Sequence, residues 1–128
     1  MKLQDYFSGK AGSGVISTSN TKGEVNSAVY GKPHVTGVNT VAFIMRDKLT
    51  RANLLENGKA CYLFIEHEQG VKGVRLYLTK TDEVQDKEVI ASLSRRASAD
   101  DESNERFLVS FKVDKALALI GADEIELQ

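Results

Sequence analysis

The sequence has no second cysteine: Cys61 stands alone, inside the apolar run 60–65. That count excludes a disulfide framework and a cysteine metal site, and it makes Cys61 a buried, inert thiol by expectation. Proline occurs once, as Pro33 in the loop 31–37. No apolar run approaches the roughly 20 residues of a membrane-spanning helix. The opening MKLQDYFSGK lacks the apolar segment of a secretory signal. Cytoplasmic residence without a membrane partner is therefore expected. Histidine is also scarce: His34 and His67 fall in separate turns, without the carboxylate spacing of metal ligands, so no metal is expected.

What is present fits one domain over residues 1–128, with 41% hydrophobic and 27% charged residues. The net charge of −1 conceals an asymmetry, since residues 1–80 carry 11 Lys/Arg against 6 Asp/Glu and residues 81–128 carry 6 against 12. An acidic second half argues against a nucleic-acid surface over the whole protein. Aromatics interleaved with cations along strands, as a single-strand binder needs, are limited to Tyr30 with Lys32 and Arg75 with Tyr77. The asymmetry favours a small anionic ligand.

Along the chain, Leu3, Tyr6 and Phe7 share one face of a short helix. The stretch Gly9–Gly14 superficially resembles a phosphate loop. It lacks a strand before it and a helix after it, and reads as a flexible link into a strand. Val15–Ser19 and Glu24–Tyr30 form a hairpin about a polar turn. Val38–Met45 is a third strand, followed by a helix Lys48–Asn57 with Ala52, Leu54 and Leu55 facing inward. Strands Lys59–Glu66 and Lys72–Thr81 follow, then a helix Asp86–Arg96, an acidic loop Ala97–Glu105 and a strand Phe107–Val113. Residues 115–128 fit a last strand or a helical turn. Consecutive antiparallel strands with two inserted helices predict a small closed barrel, mainly β with helices, rather than a doubly wound sheet.

The densest chemistry lies in the stretch 41–58. The apolar run Val41–Met45 stops at Arg46-Asp47, and a helix begins within two residues. A helix N-terminus exposes unpaired N–H groups and the positive end of a dipole. The junction carries Arg46, Lys48, Thr50, Arg51 and Asn53, and the cationic and hydroxyl side chains among them make a candidate phosphate seat.

Two segments carry a family resemblance. The first is Gly14-Val15-Ile16-Ser17-Thr18 followed by Lys22-Gly23-Glu24-Val25-Asn26-Ser27-Ala28. The second runs Phe43-Ile44-Met45-Arg46-Asp47-Lys48-Leu49-Thr50-Arg51-Ala52-Asn53-Leu54. In order and spacing they resemble the pyridoxamine 5′-phosphate oxidase-like FMN-binding split barrels, in particular the small general members. The likeness implies a six- to seven-stranded antiparallel split barrel with two main helices, binding FMN. Asn26, Ser27 and Ala28 would lie along the isoalloxazine ring and ribityl chain, with Tyr30 stacking nearby. Phe43, Ile44 and Met45 would run under the ring; Arg46, Lys48, Thr50 and Arg51 would hold the phosphate; Arg75 would reach the flavin from a partner subunit. The corner departs from the family's adjacent Arg-Lys or Lys-Thr, because Leu49 occupies one of those positions. The vitamin B6 oxidase itself resembles this chain less, since its C-terminal Arg-x-His segment is replaced here by Asp123–Gln128.

The resemblance implies a homodimer with flavin sites at the interface, and a flavin-dependent oxidoreductase acting on an unidentified small molecule. The residues give their own reason for a dimer: Tyr62, Phe64, Tyr77 and Val38 are surplus to one small barrel interior. A non-catalytic flavin carrier or sensor is the alternative, with a nucleic-acid-binding barrel behind it. The cofactor carries the redox chemistry, so no conspicuous catalytic residue is expected.

Overall fold

The computed structural model describes residues 1–94 and 105–127. The expected loop 97–105, apart from Glu105, and the pair Arg95-Arg96 lie outside the described residues. Elements follow as α1 (Leu3–Phe7), β1 (Gly12–Ser19), β2 (Val25–Val29), β3 (His34–Val35), β4 (Thr40–Arg46), α2 (Leu49–Glu56), β5 (Lys59–Glu66), β6 (Gly73–Val84), α3 (Lys87–Leu93), β7 (Arg106–Ala118) and β8 (Glu124–Ile125). One antiparallel sheet runs β2-β1-β5-β6-β7-β4-β3, with β8 beside β7. The path begins at β2 and ends at β3 without joining them, so the barrel is split rather than closed. Six full strands and two short ones make up a β-rich fold with helices, as the resemblance implied.

Strand alternation decides which side chains fill the barrel. Ile16, Phe43, Met45, Tyr62, Phe64, Leu76, Val109 and Phe111 are all at most 2% exposed. Tyr62 and Phe64 are therefore core residues and not surplus; of the four named, Tyr77 is half-buried and Val38 is exposed. A chain of ring contacts runs through the interior: Phe7 to Phe64 at 5.3 Å, Phe43 to Tyr62 at 5.0 Å, and Tyr30 to Phe43 at 5.9 Å between centroids. Edge-to-face pairs of this kind each add about 0.5–1.5 kcal/mol beyond area burial.

Those rings explain the glycines of β1. Residues 12–14 pair with β5 and are strand, not a flexible link. A Cβ at Gly14 would collide with the Tyr62 hydroxyl and approach the Tyr30 carbonyl to 2.6 Å, and one at Gly12 would collide with the Phe64 ring. The absent side chains let Tyr62 cross the strand and donate its hydroxyl to the Gly31 carbonyl at 2.9 Å.

Several boundaries differ from those expected, two of them in ways that bear on the core. β7 extends to Ala118 because its register on β6 shifts between Tyr77 and Leu78, so that Val113 and Ala116 both turn inward. Such a bulge breaks the period of two that the sequence reading relied on. α3 ends at Leu93, is capped by Asp86 accepting from the Glu88 and Val89 amides, and buries Ile90 against Ala42 and Leu108. Val89, expected inward, is 40% exposed.

Gly14→Ala is expected to cost about 1–3 kcal/mol through overpacking against Tyr62, measured as a fall in urea midpoint. Combining it with Tyr62→Phe should recover part of the loss; full additivity would show that the two positions do not compete for space.

Candidate functional site

α2 is fixed to the β1–β2 hairpin by polar side chains. Its buried residues are Thr50, Asn53 and Leu54, whereas Ala52 and Leu55 are exposed, which corrects the expected apolar face. Asn53 Nδ2 donates to Thr18 Oγ1 at 3.1 Å, both side chains being buried. Asn57 Nδ2 donates to Ser19 Oγ at 3.2 Å, and the Thr21 hydroxyl to Glu56 at 2.9 Å. Burial pushes the Tyr30 phenol above its ordinary range, while the nearby Thr50 hydroxyl pulls it down. Buried polar groups stabilise only when paired, and Asn53 and Thr18 meet that condition in each other.

The start of α2 is electrostatically open. Lys48 occupies the N-cap position in extended conformation, no side chain caps the first turn, and that turn contains no acidic residue. Lys48 is exposed and Arg46, at the end of β4, is half-buried. β4 runs directly into this corner. One edge of it pairs with β7 over Thr40–Arg46; on the other, β3 covers only Val41 and Ala42. No described strand pairs with the second edge of Phe43–Arg46.

Arg51 is engaged elsewhere. Its guanidinium donates to Glu83 through Nε at 3.0 Å and Nη2 at 2.8 Å, donates to Asp47 at 3.0 Å, and lies 3.6 Å above the Phe107 ring. The Arg51 hydrogen bonds hold the Glu83 carboxyl below its ordinary value, with Lys80 assisting. The clamp joins α2 to β6 and β7.

The remaining sequence candidates divide by face. Asn26 and Ala28 are half-buried, and Ala28 packs on the core. Ser27 is exposed with its hydroxyl 2.8 Å from that of Ser17. Phe43 and Met45 point into the core, while Ile44 packs beside Ala42 and Leu108 under α3. Tyr30, Phe43 and Thr50 thus come together. Arg75 is on the far face of β6, its Nε donating to Ala118 O at 3.0 Å and its Nη2 contacting Gly121 O. Cys61 is half-buried, its thiol raised by burial. Thr18 and Glu83 are not among the sequence candidates, and neither carries a local signal; Asn53, which the sequence places at the α2 corner, is instead buried on Thr18. Among the described residues, no group of three or more His, Cys, Asp and Glu is placed to hold a metal, and no helix is long and apolar enough to cross a membrane.

No protein-family model matches the chain, and no curated protein matches it. Solved structures do. An FMN-binding protein from Syntrophomonas wolfei subsp. wolfei superposes with TM-score 0.70 at 24% identity, over 84% of this chain and 77% of that one. An F420 reductase gives 0.72 at 11% identity, over 91% and 97%. A protein related to general stress protein 26, of the pyridoxinephosphate oxidase family, from Clostridium acetobutylicum gives 0.64 at 14%, over 90% and 84%. The chain has the fold of these split-barrel proteins, which supports its resemblance to the pyridoxamine 5′-phosphate oxidase-like family.

Glu83 has a folded pKa below its ordinary value of 4.5, so its stabilisation is present above that pH and is lost as pH falls through the folded value. Glu83→Gln should therefore lower stability at neutral pH, and its deficit against wild type should shrink below about pH 4.5 in acid titrations. Arg51→Ala should cost about 1–3 kcal/mol, from the paired and stacked geometry.

Proposed function

We propose that the protein binds FMN along the open edge of β4, with the phosphate at the start of α2, and works as a flavin-dependent oxidoreductase on a small molecule. The observation that carries this reading is the continuity of the two features. A strand whose second edge is paired by no described strand over Phe43–Arg46 leads, within two residues, into a helix start beside Lys48 that has no side-chain cap. Backbone donors on an open edge suit the polar rim of a flavin ring, and an uncapped helix start with a cation suits a phosphate dianion.

The residues present fit that ligand with some reassignment. Lys48, the first-turn amides and Arg46 form the proposed phosphate seat. Thr50, in the first turn of α2, and Tyr30 remain in the proposed site. Phe43 and Met45 contribute through their backbone, because their side chains fill the core. Arg51 is left to its clamp on Glu83, and Arg75 has no part in the site of its own subunit, being held on the Ala118 carbonyl. When bound, the flavin would accept and release electrons; the chain would hold it, exclude water beneath it and tune its charge.

The companion proposal is a homodimer, formed through the outer face of β1, β5 and β6. Half-buried or exposed Val15, Leu63, Ile65 and Tyr77 share that face, and Val15 pairs directly with Leu63. This is the surface on which Arg75 lies, so a partner copy would bring Arg75 towards the other subunit's site. Cytoplasmic residence accompanies this reading. The likeness to an F420 reductase makes F420 an alternative to FMN in the same proposed seat.

The test is the visible spectrum of the purified protein, followed by titration with FMN and, separately, with F420. FMN should raise the melting temperature, and Lys48→Glu should weaken FMN on the order of tenfold or more by loss of a charge-assisted bond. A colourless protein indifferent to FMN would overturn the reading. Binding without turnover, given reduced nicotinamide and an electron acceptor, would make it a carrier.

A further inference from the structure

Arg51 belongs to the first turn of α2, close behind Lys48, yet each of its nitrogens is committed to a carboxylate. Nε and Nη2 donate to the two oxygens of Glu83 at 3.0 and 2.8 Å, and Nη1 donates to Asp47 at 3.0 Å. One face of the guanidinium rests on the Phe107 ring. The Arg51 and Glu83 side chains are only 15% and 19% exposed, so water screens this pair less than a surface one. Asp47 is 62% exposed, which makes its bond the weaker of the two attachments. Lys80 Nζ stands 3.6 Å from the same Glu83 carboxylate, so two cations and two carboxylates cancel locally. Asp47 is also the immediate neighbour of Lys48 in the chain, so the Nη1 end of the guanidinium already stands at the β4–α2 junction.

We propose that Glu83 sets how tightly the corner holds a phosphate, by withholding Arg51 from it. This rests on the flavin reading above, and adds that the FMN phosphate is held below the strength the corner's residues could supply. A guanidinium fork grips carboxylate and phosphate with the same geometry, so the donors spent on Glu83 are not available to FMN. To recruit Arg51, the phosphate would have to displace a two-bond, partly buried ion pair. The bound phosphate is therefore left to the first-turn amides and Lys48. Neutralising Glu83 removes the competitor while the hold on Asp47 keeps the guanidinium at the junction.

The experiment compares FMN with riboflavin, which lacks the phosphate. Both are titrated by flavin fluorescence into wild type, Glu83→Gln, Arg51→Gln and the double variant at one ionic strength, and the ratio of the two affinities isolates the phosphate. Glu83→Gln should raise that ratio on the order of tenfold, the worth of a charge-assisted contact, even as it lowers thermal stability. Arg51→Gln alone should change it by less than about threefold, since its charge then reaches the phosphate only across screening solvent. Adding Arg51→Gln to Glu83→Gln should cancel the gain, whereas a general loss of negative charge would leave the gain in place. Asp47→Asn, at an exposed position, should give a smaller gain that Arg51→Gln also cancels, and it carries the test if Glu83→Gln fails to fold. A loss of about tenfold or more in the ratio for Arg51→Gln alone would place Arg51 on the phosphate already and overturn the inference. An unmoved ratio in Glu83→Gln, or a gain that survives the double substitution, would overturn it as well, with the flavin reading intact. Failure of every variant to bind either flavin would remove the flavin reading and this inference together.

Discussion

The buried hydrogen bond between Asn53 and Thr18 is the constraint on which the candidate site depends. Eight-residue helices are marginal on their own, and α2 has no continuous apolar stripe to hold it down. It is seated instead by matched polar groups, Asn53 on Thr18, Asn57 on Ser19 and Thr21 on Glu56. Hydrogen bonds are directional, so they determine the helix's rotation and height more tightly than a greasy contact would. The first turn is consequently presented at the end of β4 with its amides uncovered. Loss of one partner would leave the other buried and unpaired, which costs more than the bond itself contributes.

A second constraint works from the opposite side. Tyr62 and Phe64 fill the barrel only because Gly12 and Gly14 leave room above them. Tyr62 then reaches the Gly31 carbonyl and fixes the start of the loop that leads to Lys32 and His34. The barrel therefore fixes neighbouring parts by different means, the α2 corner through buried polar pairs and the loop after β2 through aromatic packing. Arg51, which the sequence places among the phosphate candidates, closes a third side by pinning α2 to Glu83 and Phe107.

Much of this was legible from residue order. The strand Lys59–Glu66 and the helix Leu3–Phe7 have the predicted bounds, and the inward sets Val74/Leu76/Leu78 and Phe107/Val109/Phe111/Val113 are core. Period-two alternation reports burial directly where one face is dry. It fails where register shifts, as at Tyr77/Leu78, and where a helix buries polar groups. Asn53 and Thr18 are 35 positions apart, and neither residue alone announces its partner. Arg51 illustrates the limit for the site: its chemistry suits phosphate, and only the fold reveals Glu83 opposite it. Gly12 and Gly14 looked like a linker because the rings that require them lie on another strand.

The proposed function requires the open edge of β4 and the uncapped start of α2 to form one ligand seat. Backbone amide hydrogen exchange with and without FMN is the sharpest probe, because it reads the main chain and not side-chain identity. Slowed exchange is expected at Phe43–Arg46 and at the first turn of α2, with little change along β7. Unchanged exchange at both segments under saturating FMN, or protection confined to another part of the sheet, would contradict it.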